Sequence, residues 1–177
     1  MPLHPKHSKP SPPSSSSTMT LRPSFQPGRY RLRAVLTSDP DPSVGGLFAT
    51  GGDPSQPITT APNDPRFADR QTWDIVENKD ENKDEHKGEK TYKIIYAGKE
   101  GFSYASTDKG APITLGPPKD FTLRLWPGTD VYVIRPTEFP ITDGFDICVG
   151  IMKDQSELDI HYSFPASARP AWKLYRV

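Results

Sequence analysis

The sequence predicts an all-β fold, a β-trefoil of twelve strands in three pseudo-repeats with long surface loops, and three observations predict it. Short runs rich in Tyr, Val, Ile, Thr and Phe alternate with polar residues and are punctuated by Gly, Pro and Asp, the pattern of half-buried strands. Those runs recur in threes. Proline makes up 21 of 177 residues, against the usual ~5%, and lies mostly between the apolar runs, where it breaks helices and stiffens loops.

Each block opens on a strand with an aromatic residue near its start: GRYRLRA with Tyr30, KTYKIIY with Tyr92 and DVYVIRP with Tyr132. A second strand follows in each: GLFATGG from Gly46, GFSYAST from Gly101 and GFDICVGI from Gly144. The third strands are PITTAP (57–62), APITLG (111–116) and DIHYSF (159–164). Each block closes on an aromatic-headed strand: WDIV at Trp73, FTLRL at Phe121 and WKLYRV at Trp172. Four strands in each of three blocks match a trefoil plan, in which six strands form a barrel and six form hairpins capping it. Alternation predicts a core of Tyr30, Leu32, Trp73, Ile75, Ile94, Leu123, Leu125, Val131, Val133, Trp172 and Leu174. A closed sheet also leaves no edge to aggregate.

The remaining sequence bounds what such a scaffold can do. Residues 1–26 are a Pro/Ser-rich tail that cannot bury apolar surface and is expected to be disordered, leaving residues 27–177 as one domain. The tail lacks the apolar stretch of a secretory signal, and no run approaches the length of a membrane span, so a cytoplasmic monomer with no membrane partner is expected. With 22 basic and 22 acidic residues the net charge is zero, which argues against a nucleic-acid partner. The lone Cys148 can form neither an intramolecular disulfide nor a CxxC site, and among strand formers it reads as a buried, inert thiol. The run Glu77 to Lys90 places Asp80, Asn82 and Asp84 as a calcium loop would. Glu85 replaces the required Gly and Thr91 the bidentate Glu, so it reads instead as a solvated hairpin extension.

Chemistry for turnover is missing. His4, His7, His86 and His161 have no spacing for a metal or a triad, and His161 reads as a strand residue with a satisfied ring; no enzyme, metal or cofactor is expected. Binding through loops remains. A sugar-binding trefoil is one reading, because Gln71-Thr72-Trp73 matches the Gln-x-Trp of ricin-type lectins. Lys119-Asp120-Phe121 and Pro170-Ala171-Trp172, at the equivalent places, do not match. A Kunitz-type trefoil inhibitor leans on disulfides that one cysteine cannot make.

GRYRLRAVLTSDPDPSVGG, APNDPRF leading to QTWDIV, YKIIYAG, GFSY, DVYVIRP and RPAWKLYRV resemble the mycocypins, the clitocypin and macrocypin cysteine-protease inhibitors of mushrooms, over residues 28–177. The resemblance implies a β-trefoil and reversible inhibition of papain-like cysteine proteases by two loops. By the family's pattern those loops are here Asp39, Pro40, Asp41, Pro42, Ser43, Val44, Gly45 and Gly46, and Pro62, Asn63, Asp64, Pro65, Arg66 and Phe67. Gly45-Gly46 offers a thin backbone for a narrow cleft, and the prolines restrict both loops before they meet a target, which reduces the entropy lost on binding. A plain chain-turning role for the Gly-Gly and Asp-Pro steps remains open. Family members that inhibit legumain present an exposed Asn on the hairpin after the fifth strand. The corresponding Gly98, Lys99 and Glu100 hold none, so legumain is expected to escape. Lys99 could enter the acidic pocket of a trypsin-like serine protease, or simply be a polar turn residue.

Overall fold

A computed structural model of the chain describes residues 25–35, 46–79, 89–138, 145–151, 154, 156–163 and 169–177. Among them are twelve strands: β1 (Gly28–Val35), β2 (Leu47–Thr50), β3 (Thr59–Pro62), β4 (Trp73–Glu77), β5 (Thr91–Tyr96), β6 (Glu100–Ser103), β7 (Thr114–Gly116), β8 (Phe121–Leu125), β9 (Val131–Pro136), β10 (Asp146–Ile151), β11 (Leu158–Ser163) and β12 (Ala171–Arg176). Two 3₁₀ turns, Pro65–Phe67 and Asp69–Gln71, precede β4.

Six strands close a barrel. β1 pairs with β12, β12 with β9, β9 with β8, β8 with β5, β5 with β4 and β4 back with β1, every pair antiparallel. The other six form the hairpins β2–β3, β6–β7 and β10–β11. These meet one another through a cycle of backbone hydrogen bonds. The Ile58 amide donates to the Ile113 carbonyl at 2.8 Å, Ile113 to Leu158 at 2.9 Å, and Leu158 back to Ile58 at 2.9 Å. A second cycle has Thr60 donating to Ser156, Leu115 to Gln56 and Ile160 to Ala111, each at 2.9 Å. The buried backbone groups at the joint between hairpins therefore find partners, as the cost of leaving them unpaired requires.

Tyr30, Leu32, Trp73, Ile75, Ile94 and Trp172 are buried in the core cluster, with Leu123 and Leu174 packed against it as partly covered residues. β9 departs from expectation. Tyr132 and Ile134 contribute to that core, whereas Val133 is buried outside the cluster and Val131 and Leu125 are only half-buried. The register sets this phase: Ile134 lies opposite Leu123 and Tyr132 opposite both Leu125 and Trp172. A strand reading Val-Tyr-Val-Ile has an apolar residue at every position, so alternation alone cannot select its inner face.

Phe25, two residues before the domain start expected at residue 27, is part of the core cluster. Its ring is buried against the three strand-opening tyrosines, with centroids 5.3 Å from Tyr30, 5.2 Å from Tyr92 and 5.4 Å from Tyr132. The last two contacts are edge-to-face, the arrangement that ring quadrupoles favour. The Tyr30 hydroxyl donates to the Gln26 carbonyl at 2.7 Å and fixes the backbone beside it. Residues 1–24 of the expected tail lie outside the described residues.

Cys148 is buried and its thiol is pushed up to about 11 by burial, consistent with an inert packing role. His161 is satisfied as expected, its Nε2 lying against the Asp159 carboxylate and 3.0 Å from the Ile151 carbonyl. Residues 80–88 of the charged run lie outside the described residues. At its two ends the hairpin is tied: Lys90 pairs with Glu77 at 2.8 Å, and Asn78 donates to the Asp120 carboxylate at 3.1 Å.

Candidate functional site

The hairpin β2–β3 decides where the two expected loops emerge. Its register pairs Leu47 with Pro62, Phe48 with Ala61, Ala49 with Thr60 and Thr50 with Thr59. Gly46, the end of the first loop, immediately precedes Leu47 and Asn63 immediately follows Pro62, so the end of the first loop and the start of the second lie side by side at the open end of this hairpin, a strand spacing of about 5 Å apart. Asp39 to Gly45 lie outside the described residues. Gly46 has φ +98, and a methyl group added there would run into the guanidinium of Arg33, which is itself buried. Glycine at 46 is thus a backbone and packing requirement, quite apart from any target.

The second loop is built rather than merely connected. Asp64 caps the 3₁₀ turn by accepting from the Arg66 amide at 2.8 Å. It also accepts from Arg66 Nη2 at 2.6 Å, so the Arg66 side chain folds back over its own turn, and these bonds hold the Asp64 carboxyl below the usual carboxylate range. Pro65 occupies the first turn position, where its missing N–H costs nothing. The exposed Asn63 accepts a long contact of 3.4 Å from Arg31 of β1. Phe67 is half-buried, with the Arg66 and Arg70 guanidinium carbons 6.0 and 5.8 Å from its ring centre. That ring is thus an apolar surface flanked by cations.

Residues following the loop tie it to the hairpin, and the sequence reading missed this role. Arg70 Nε donates to the Gly51 carbonyl at 2.8 Å, and the Gly51 amide donates back to the Arg70 carbonyl at 2.7 Å. Gln71, fully buried, directs Nε2 to the Pro62 carbonyl at 2.9 Å, the Ala61 carbonyl at 3.3 Å and the Thr50 hydroxyl at 3.2 Å. Trp73, also fully buried, donates to the Ala49 carbonyl at 3.0 Å. The Gln-x-Trp spacing was the available signal. It marks two buried braces, and neither side chain is exposed to meet a sugar.

The third candidate is the turn between β5 and β6. Ala97 (φ 49) and Gly98 (φ 78) are its central residues, and Lys99 closes it by donating its amide to the Tyr96 carbonyl at 3.3 Å. Positive φ at both central positions is the combination that suits a tight hairpin. Gly98 and Lys99 are exposed, whereas Glu100 is half-buried opposite Tyr96. Ala97, Ala68, Asp69, Thr72, Arg29 and Arg31 all line one cavity of about 350 Å³. The turn is therefore a neighbour of the segment that braces the second loop.

Chemically, the described part of the candidate site offers Pro62, Pro65, the Phe67 ring and backbone, with no activated nucleophile among the described residues. No group of three His, Cys, Asp or Glu side chains that could hold a metal occurs among the described residues. Such a surface can bind and obstruct.

Comparisons with known proteins bear on the fold and on the family. Among solved structures, an agglutinin from Rhizoctonia solani superposes with a TM-score of 0.62 at 12% identity, covering 88% of this chain and 99% of that one. A mosquitocidal holotoxin superposes with a TM-score of 0.61 at 15% identity, covering 87% of this chain and 18% of that one. At such identities the likeness speaks for a trefoil-like fold alone. Clitocypin-5 of Clitocybe nebularis is 40% identical over 164 residues, covering 86% of this chain and 98% of its own. Clitocypin-4/-3 of the same fungus is 39% identical with the same coverage. The model of the peptidase inhibitor clitocypin matches residues 28–174, and the chain belongs to that family of peptidase inhibitors, not to an enzyme family.

Proposed function

We propose that the protein is a reversible, non-covalent inhibitor of papain-like cysteine proteases, acting as a monomer, and that Asp39 to Gly46 and Pro62 to Phe67 enter the protease cleft together. The observation that carries this is the Leu47–Pro62 register, which brings both loops out side by side. A papain-type cleft is narrow, with the catalytic cysteine at its base. A pair of backbone-rich loops can fill it and exclude substrate, while Pro and Gly give that cysteine nothing to react with. The Asp64 cap and the Gln71 brace hold the second loop before binding, which reduces the ordering cost. The scaffold is read as a β-trefoil of three pseudo-repeats. The cyclic hydrogen bonds among Ile58, Ile113 and Leu158 support this, as do the matched indole bonds from Trp73 to Ala49 and from Trp172 to Val149.

Papain titrated with the protein should lose activity stoichiometrically, and papain alkylated at its catalytic cysteine should still bind. Irreversible loss of activity, or binding that strictly requires a free thiol, would overturn the wedge. Lys99, exposed on its turn, provides a second reading for a trypsin-like serine protease. Trypsin inhibition that vanishes in Lys99→Ala while papain inhibition survives supports it, and trypsin left fully active removes it. A glycan array with defined binding, beside untouched proteases, would favour a lectin instead.

A further inference from the structure

Gln71 lies buried behind the candidate site. Its side chain is fully buried, and all three groups around Nε2 are oxygens: the carbonyls of Ala61 and Pro62 and the hydroxyl of Thr50. The Thr50 hydroxyl is itself committed as a donor to the Phe48 carbonyl at 2.8 Å, so it can only accept from Gln71. Only a donor fits there. A flipped amide would set Oε1 against three acceptors, which fixes the side chain in one orientation. Its target is equally specific. Ala61 and Pro62 end β3, opposite Phe48 and Leu47, at the point where both loops leave the hairpin. Pro62 and Asn63 are exposed, and Asn63 also accepts a long 3.4 Å contact from Arg31.

We propose that Gln71 is a positioning residue for protease inhibition: from inside the fold it pins the Pro62 carbonyl and so holds the base of the second loop in the binding geometry. The inference rests on the inhibitory reading above and adds to it a residue that cannot touch the protease. Without the brace the base of the second loop samples several arrangements, and the apparent affinity falls by the fraction that remains competent.

The test compares inhibition of papain by the parent, Gln71→Met and Gln71→Glu, each relative to the parent at the same pH. Ile113→Val serves as a control, a methyl group lost from the hairpin joint away from the loops. Gln71→Met keeps the volume without a donor and should weaken inhibition by about tenfold or more at every pH, as expected if the competent fraction falls to a tenth. Ile113→Val should melt at a lower temperature yet inhibit like the parent. Gln71→Glu should be nearest the parent at about pH 5, where a buried carboxyl whose proton is retained can still donate, and should weaken steadily toward about pH 8 as carboxylate faces three oxygens. A folded Gln71→Met that inhibits like the parent overturns the proposal. Should Gln71→Met fail to fold, a Gln71→Glu ratio that stays flat with pH overturns it. If the parent itself leaves papain active, the inhibitory reading fails. Amide exchange at Asn63, Asp64, Arg66 and Phe67 then decides the brace by itself: faster exchange in the variants supports it, and unchanged exchange removes it.

Discussion

Replacing Phe25 with Ala should destabilise the whole barrel, although the residue stands only three positions before the first strand. Phe25 is 9% exposed and touches three tyrosine rings at 5.2 to 5.4 Å, each from a different barrel strand. Truncating a buried Phe to Ala costs about 3–5 kcal/mol. A position at the rim, where the chain can partly close over the gap, places the expectation at the lower end, about 3 kcal/mol. For a protein of this size each kcal/mol moves the melting temperature by about 2–4 °C, so the drop should be about 6–12 °C. Phe25→Leu keeps apolar volume and loses the edge-to-face geometry, for which about 1 kcal/mol is expected. Thermal and urea unfolding followed by tryptophan fluorescence provide the assay, since Trp73 and Trp172 are buried. Removing residues 1–24 should leave both transitions in place, whereas removing 1–27 should reproduce the Phe25→Ala loss. A chain beginning at Gly28 that melts with the parent would refute the reasoning and return Phe25 to the tail.

Gly46→Ala is expected to lose about 1–3 kcal/mol from backbone strain at φ +98, with a further loss from displacing buried Arg33, read as a lower urea midpoint at unchanged slope. A parent-like midpoint would show that this backbone relaxes freely. Replacing residues 79–88 by an Asn-Gly turn while keeping Glu77, Asn78, Glu89 and Lys90 should change stability by less than about 1 kcal/mol, because closure entropy varies slowly with loop length. A calcium-dependent melting temperature in the parent would contradict that. His161 is raised above its ordinary value by the Asp159 carboxylate, against burial and the nearby Lys109, which lower it. A raised folded pKa means the charged pair stabilises the fold fully below the unfolded value of about 6.5 and ceases to do so as pH rises through the folded value. The stability gap between the parent and His161→Gln should therefore be widest in mild acid and narrow toward alkaline pH; a gap that widens with pH would reverse the sign of the argument.

The barrel was legible because its signals are periodic. Tyr30, Tyr92 and Tyr132, and the closers Trp73, Phe121 and Trp172, stand at corresponding points of alternating strands, and five of these six are buried, with Tyr132 packed against the core. The second loop was legible too, since Asn-Asp-Pro before an aromatic residue is turn chemistry with a mechanism. β9 was not, because an unbroken apolar run carries no phase. Phe25 was hidden for the opposite reason: one aromatic residue in a Pro/Ser context has no period at all, and only the three tyrosines that surround it give it a place. Gln71 and Arg33 escaped because a polar side chain that serves backbone or packing far along the chain leaves no mark on hydropathy. The Gln-x-Trp spacing was visible, and its meaning lay in the carbonyls of β2 and β3 that it meets.

Titration of active papain with the purified protein, alongside papain alkylated at its catalytic cysteine, tests the central claim most directly. Activity should fall linearly to near zero at one inhibitor per active enzyme and return on dilution with competing substrate. The alkylated enzyme should be retained by the parent and released when the second loop, Pro62 to Phe67, is replaced by a Gly/Ser linker. Full papain activity at excess inhibitor, or undiminished inhibition by the loop-replaced protein, would contradict the account.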